Sequence, residues 1–181
     1  AVKDESLIAV IPTLLSKHYG EQSADVWNFG INVALRISDL LSIKLSDIEN
    51  DSLTIVESKT GKIAKIQLNH KALSIVDSIR SQHPDSIYLF QSRRSSNITN
   101  RVPKAISRQA ISSAFKEIGN TIGVNLGTHS MRKTRGYHMY KKTNDIARVM
   151  KMLRHSSEGV TLRYIGITQD DIDKDFNELV L

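Results

Sequence analysis

Apolar and polar positions alternate along this chain with two different periods, and the switch between them outlines the elements. Ser6–His18 carries Leu7, Ile8, Ile11, Leu14 and Leu15 on one helical face, interrupted by Pro12. A second helical stripe runs through Val26, Trp27, Ile31, Ala34 and Leu35, with Ser23 or Asp25 placed to cap its start. Arg36 falls at its C-terminal end, and Ser38 is the candidate cap of a short turn through Leu41. From Ile43 to Leu68 the period shortens. Ser52–Glu57 and Ile63–Leu68 alternate or carry β-branched residues, and Ser58-Lys59-Thr60-Gly61-Lys62 separates them, so a hairpin is expected with Gly61 in its turn.

Helical spacing returns at Ala72–Arg80. The stretch Gln91–Pro103 is polar and irregular, and Ala105–Ile118 reads as a helix ended by Gly119. Thr128 is placed to cap a helix from His129 to about Lys142. Asn144 is the candidate N-cap of the cleanest amphipathic stripe, Ile146, Val149, Met150 and Leu153. A short helix carrying Tyr164 follows Ser156 and Ser157. The fold expected is mainly α with a small antiparallel β-sheet (α+β). No internal repeat or low-complexity segment breaks it.

A chain of 181 residues suits one domain with a proper core. A formal charge of +6 and a pI near 9.5 favour a polyanionic partner. There are no cysteines, which excludes disulfides and thiolate metal sites and fits an intracellular protein. No apolar run reaches membrane-spanning length, so no membrane partner is expected.

The charges are segregated. Gln91 to Arg108 holds five basic residues, Arg93, Arg94, Arg101, Lys104 and Arg108, and no acid. Met131 to Tyr164 holds nine, among them Lys133, Arg135 and Arg154, against only Asp145 and Glu158. These eight named residues are the candidate contacts to a duplex backbone. Beyond Tyr164 the sign reverses, with Asp170, Asp171, Asp173, Asp175 and Glu178 against Lys174.

The chemistry is concentrated in an ordered set: Arg36, Lys59, His129-Ser130-Met131-Arg132, His155 and Tyr164. Arginine forks match phosphate geometry, His and Lys move protons near neutral pH, and a tyrosine can form a covalent ester. Together they suit the attack of a phenolic oxygen on a phosphodiester. Arg36 and Arg132 are the candidate clamp on the charge that builds on the non-bridging oxygens. His129 could accept the proton of Tyr164, whose phenolate the guanidiniums would favour. His155 is expected to donate to the scissile phosphate, and Lys59, at the hairpin tip, to protonate the leaving 5′ oxygen. Lys62 is the rival to Lys59. Tyr137 and Tyr140 are rivals to Tyr164 only in principle, because packing is the usual role of aromatics within such a helix. His18, His70, His83 and His138 match no part of the set and are expected to be surface or packing residues.

In order and spacing this set resembles the tyrosine recombinase (phage integrase) family, whose signature reads Arg…Lys…His-x-x-Arg…His/Trp…Tyr; the match runs from about Val26 to Tyr164. The local Ser-Lys-Thr-Gly string resembles the phage integrase version and favours Lys59 over Lys62. Asp39 matches an acidic position three after the first arginine and is expected to orient a neighbour.

The resemblance implies the catalytic-domain fold of that family over residues 1–181. It also implies site-specific recombination through a 3′-phosphotyrosyl intermediate and a free 5′ hydroxyl, with no metal and no cofactor. Its other implications are a double-stranded DNA partner, a homotetramer on paired sites and accessory DNA-bending proteins, in the cytoplasm at the nucleoid. The N-terminal helical clamp of family members is expected to be absent from this chain. A type IB topoisomerase and a non-catalytic DNA-binding module are the alternatives.

Two features stand apart. Family members commonly read Leu-Gly-His-Ser where this chain has Leu153-Arg154-His155-Ser156; the larger Arg154 either changes the local backbone or adds a phosphate contact. The tail from Asp170 to Leu181 carries Ile172, Phe176, Leu179 and Val180 at helical spacing. It either packs on its own domain or, as the resemblance implies, exchanges between protomers.

Overall fold

In the computed structural model, which describes residues 1–93, 102–178 and 180, one long helix organises the core. Helix α1 (Glu5–Tyr19) starts at Asp4, whose carboxylate accepts the Ser6 N–H at 2.8 Å. It runs on through Pro12, which removes one main-chain donor and sets its ring against the carbonyl one turn earlier. Helix α2 (Glu21–Val33) follows at once, because Gly20 turns the chain at φ 85°. That tight corner places Ser23 and Asp25 inside the helix rather than at its cap. Asp25 is partly buried there, and its carboxyl is pushed up to about 6 by burial and by Glu21, against the pull of Arg93.

Helix α2 ends at Val33, with Ala34 left-handed, so Arg36 is not on it. Arg36 is extended (φ −67°, ψ 148°) at the cap of α3 (Ile37–Ser42), and Ser38 lies within that helix. Val26, Trp27 and Phe29 of α2 have no exposed surface. Trp27 meets Phe115 edge-on at 5.4 Å, and Phe29 meets Phe90 at 5.8 Å.

After a 3₁₀ turn (Leu45–Asp47) come β1 (Ile48–Glu49), β2 (Ser52–Val56) and β3 (Ile63–Gln67), antiparallel in that order, with Leu53 opposite Ile66 and Val56 opposite Ile63. Leu53, Ile55 and Ala64 point into the core, as their alternation requires. The two-residue β1 carries too few side chains to show a period. Gly61, at φ 65°, sits in the hairpin turn as expected.

Helix α4 (His70–Gln82) is capped by Asn69, and α5 (Arg108–Thr121) by Ser107. The latter continues through Gly119, which is there for space. A Cβ would strike the main chain at Val124 and Leu126, where the chain folds back. Helix α6 (Ser130–Thr143) has His129 rather than Thr128 at its cap, and the His129 side chain makes no capping hydrogen bond. Asn144 closes α6 in the left-handed conformation, and Asp145 caps α7 (Ile146–Leu153) by accepting the Arg148 N–H at 3.0 Å. Ser157 caps α8 (Glu158–Ile165), and α9 (Gln169–Glu178) ends the described chain apart from Val180.

The apolar side chains form two clusters. The larger surrounds α2 and takes in α1, α4, α5 and the sheet. The smaller joins Ala34, Val149, Leu153 and Ile165, with Tyr137, Tyr140 and Tyr164 against it. The ordered chemical set lies at the seam between them. No described helix is long and apolar enough to cross a membrane.

Candidate active site

Arg132 ties the seam together. Its side chain is 2% exposed; Nη1 donates to the Ala34 carbonyl at 2.7 Å, and Nη2 donates to the carbonyl of Leu153. Ala34 offers that carbonyl because its left-handed backbone ends α2 there. One guanidinium therefore joins the end of α2 to the end of α7. Its neighbours Arg36, Lys59, His129, His155 and Tyr164 line the same cleft, with a volume of about 440 Å³. All six residues singled out from the sequence thus converge, although Arg36 and Tyr164 are separated by most of the chain. Thr60, Arg154 and Ser156 also line the cleft, whereas Lys62 does not.

Arg36 is held by a carboxylate. Glu57, with no exposed surface, accepts from Arg36 Nη1 at 3.2 Å and from Arg154 Nη1 at 3.0 Å through one oxygen. Its other oxygen accepts the Thr60 hydroxyl at 2.9 Å, which braces the hairpin turn. Asp39, 1% exposed, accepts the Ser58 N–H at 2.9 Å. It orients the turn that carries Lys59, in keeping with a supporting role.

Tyr164 is half-buried on α8, and its hydroxyl lies 3.4 Å from His129 Nδ1. Burial pushes the phenol above its ordinary 10; charge and hydrogen bonding from Arg132, and the charge of Arg36, pull the other way without prevailing. The guanidiniums alone therefore do not leave a free phenolate, and a base is needed. His129 suits that role. Burial, then the charges of Lys133, Arg108, Arg132 and Arg36, hold its imidazole below the usual value, so it stays neutral with a nitrogen free to accept.

His155 follows Arg154, and its ring stands edge-on to Tyr164 with centroids 4.9 Å apart. Its Nδ1 is 3.2 Å from Thr161 Oγ1, and that hydroxyl donates its only proton to the Ser157 carbonyl at 2.7 Å. Nδ1 must therefore carry the ring proton, leaving Nε2 as the free nitrogen. Burial, with the charges of Arg132 and Arg36, lowers this imidazole's pKa as well.

The pattern of the phage integrase family matches residues 6–170. The chain belongs to the phage integrase family. Among its relatives is the probable integrase/recombinase YoeC of Bacillus subtilis (strain 168), 40% identical over 144 residues, which are 78% of this chain and 76% of YoeC. Tyrosine recombinase XerA of Pyrococcus furiosus is 31% identical over 137 residues, 74% of this chain but 46% of XerA. The chain thus spans three quarters of one relative and less than half of the other.

The crystal structure of XerA recombinase superposes with a TM-score of 0.72 at 15% identity, over 97% of this chain and 62% of that one. XerH bound to its difH substrate after cleavage gives 0.68 at 16%, over 97% and 52%. The integrase catalytic-domain fold expected from the resemblance is therefore the fold observed.

Within this integrase fold the other basic residues separate. Arg108 and Lys133 both act on His129, and the Lys133 ammonium lies 5.4 Å from the centre of the Tyr164 ring. Arg135 is exposed on another face of α6, lining a cleft beside β3 that Arg154 also touches. Lys104 is exposed. Arg93 lines a small cleft with Glu21 and Asp25 at the far end of α2, roughly 14–20 Å along the helix axis from Ala34. Arg94 and Arg101 lie outside the described residues.

Tyr137 and Tyr140 pack against the smaller cluster and do not line the catalytic cleft. His138 bonds the Val2 carbonyl at 3.0 Å. Lys3 pairs with Asp171 at 3.7 Å, which ties the start of α9 to the same chain. Of the apolar residues on which tail exchange was expected to depend, the side chains of Ile172, Phe176 and Leu179 lie outside the described residues, and Val180 is exposed. Glu57 and Thr161 escaped the sequence reading. Neither chemistry nor motif spacing distinguishes a strand-end glutamate or a helix threonine until their partners are placed.

Proposed function

We propose that this domain cleaves and rejoins double-stranded DNA as a site-specific recombinase, through a 3′-phosphotyrosyl ester on Tyr164. The convergence of Arg36, Lys59, His129, Arg132, His155 and Tyr164 on one cleft carries this reading. The scissile phosphate sits between Arg36 and Arg132, whose charges oppose the negative charge that builds during in-line attack. His129 Nδ1 takes the Tyr164 proton across the 3.4 Å contact. Lys59, on the exposed hairpin turn, gives a proton to the leaving 5′ oxygen. His155 presents Nε2 to the phosphate; donating from it requires uptake of a proton, which the bound anion favours. The ester conserves the bond energy, so rejoining is attack by a 5′ hydroxyl with no metal or cofactor.

Arg108 and Lys133 extend the cationic surface to flanking phosphates, with Lys104 further along it; Arg154 adds its charge inside the cleft itself, Arg135 offers a separate contact on another face of α6, and Arg93 lies on the margin. Arg94 and Arg101 belong to the same basic run. The recombinase works as a homotetramer on paired sites of a mobile element at the nucleoid, with accessory DNA-bending proteins where the sites need them.

Two labelled duplexes bearing the junction of the parent element should exchange strands in the presence of EDTA. Relaxation of supercoiled plasmid without exchange would favour a type IB topoisomerase instead. Binding without either activity would favour a non-catalytic module.

A further inference from the structure

Glu57 presents a problem that its surroundings solve. A fully buried carboxylate beside a phosphate-binding arginine subtracts from the charge that arginine can offer an anion. Glu57 Oε1 nevertheless lies 3.2 Å from Arg36 Nη1. With one partner the pair would be neutral, and Arg36 would be spent on the protein. A second guanidinium stands on the same oxygen at 3.0 Å, that of Arg154, which also lines the cleft. Arg154 holds this place from a left-handed residue, φ 53°, at the end of α7, a backbone position where glycine is the easiest occupant. Two arginines sharing one carboxylate keep a net positive charge at the cleft.

The geometry points to Glu57 and Arg154 as a matched pair that serves Arg36: Glu57 positions its guanidinium, and Arg154 cancels the carboxylate so that Arg36 still faces the scissile phosphate as a cation. This rests on the recombinase reading only for the identity of the anion. Arg154 acts through Arg36, as a positioning residue, and Glu57 likewise. The Thr60 hydroxyl on Glu57 Oε2 couples the same carboxylate to the turn that carries Lys59.

The test uses inorganic phosphate as probe, with binding followed through the ring resonances of His129 and His155. Arg154→Gly should weaken phosphate binding by about tenfold, the effect of one unit charge several ångströms away near solvent. Arg154→Lys, which keeps the charge, should stay within about threefold of the parent.

The decisive variant adds Glu57→Gln to Arg154→Gly. The amide oxygen can still accept from Arg36, the opposing charge is gone, and most of the lost affinity should return. Melting curves accompany each variant, and Arg154→Gln replaces Arg154→Gly in the comparison if the glycine variant does not fold. Unchanged affinity in Arg154→Gly would overturn the inference, as would a double variant weaker than the single one, or a parent that binds no phosphate. A chain that shows this pattern yet forms no adduct with DNA would defeat the recombinase reading and leave the pair standing.

Discussion

Arg132 and Arg36 are both expected to bind the scissile phosphate, yet their removal should be felt very differently by the fold. Arg132 is 2% exposed and donates to two main-chain carbonyls, those of Ala34 and Leu153. Arg132→Ala strips both carbonyls of their donor inside the seam between the two apolar clusters. Each loss of a charged donor costs about 1.5–3 kcal/mol. The truncated side chain leaves a cavity, and release of a buried cation returns part of the cost. The net loss should be about 3–4 kcal/mol. For a chain of this size that lowers the melting temperature by roughly 6–16 °C.

Arg36→Ala leaves Glu57 with Arg154 and Thr60, so it should cost only about 1 kcal/mol. Urea melts followed by far-ultraviolet circular dichroism would separate the two, with cleavage measured on the folded fraction of each. Both variants should cleave poorly, but only Arg132→Ala should melt early. Equal stability of the two would refute the view that Arg132 joins the helices it touches.

Three other outcomes follow from the same geometry. His129 and His155 both have depressed pKa values in the folded chain, so the stability they confer is complete above their unfolded value of about 6.5 and is lost as pH falls through the lower folded values. Melts of the parent should weaken on acidification below about 6.5, and a His129→Asn/His155→Asn variant should lose much of that dependence; an unchanged profile would argue against the burial of both rings. Lys59→Ala should be rescued by a 5′-phosphorothiolate substrate, whose sulfur leaves without a proton; rescue of Lys62→Ala instead would exchange the two lysines' roles. Replacing Arg108 and Lys133 together by alanine should reduce the slope of log K against log salt by about 2, roughly one per phosphate contact. An unchanged slope would place them off the DNA.

The set of residues that converges on the cleft was legible because its residue types are scarce in such an order, and the hairpin because its alternation survives in full. Helix ends were harder. Gly119 reads as a stop, but it is demanded by a main chain that returns only at Val124, which no local pattern reveals. Asn144 is a good cap by type, yet the neighbouring Asp145 takes that role and leaves Asn144 the left-handed turn. Gly20 compresses the first corner and draws Ser23 and Asp25 into α2. The substitution of Arg154 for glycine was visible, but its meaning lay in Glu57, 97 residues away. The raised phenol of Tyr164 was equally hidden, because burial there outweighs the charges that sequence spacing suggests.

The proposed chemistry stands or falls on Tyr164 as the nucleophile. Incubation with a nicked duplex bearing the parent element's junction should trap a covalent complex, and peptide mapping after nuclease digestion reports where the DNA is attached. A 3′-phosphonucleotide should be found on the peptide that contains Tyr164, formed equally in EDTA and abolished by Tyr164→Phe without loss of DNA binding. An adduct that persists in Tyr164→Phe, or one that maps to Tyr137 or Tyr140, would contradict that role.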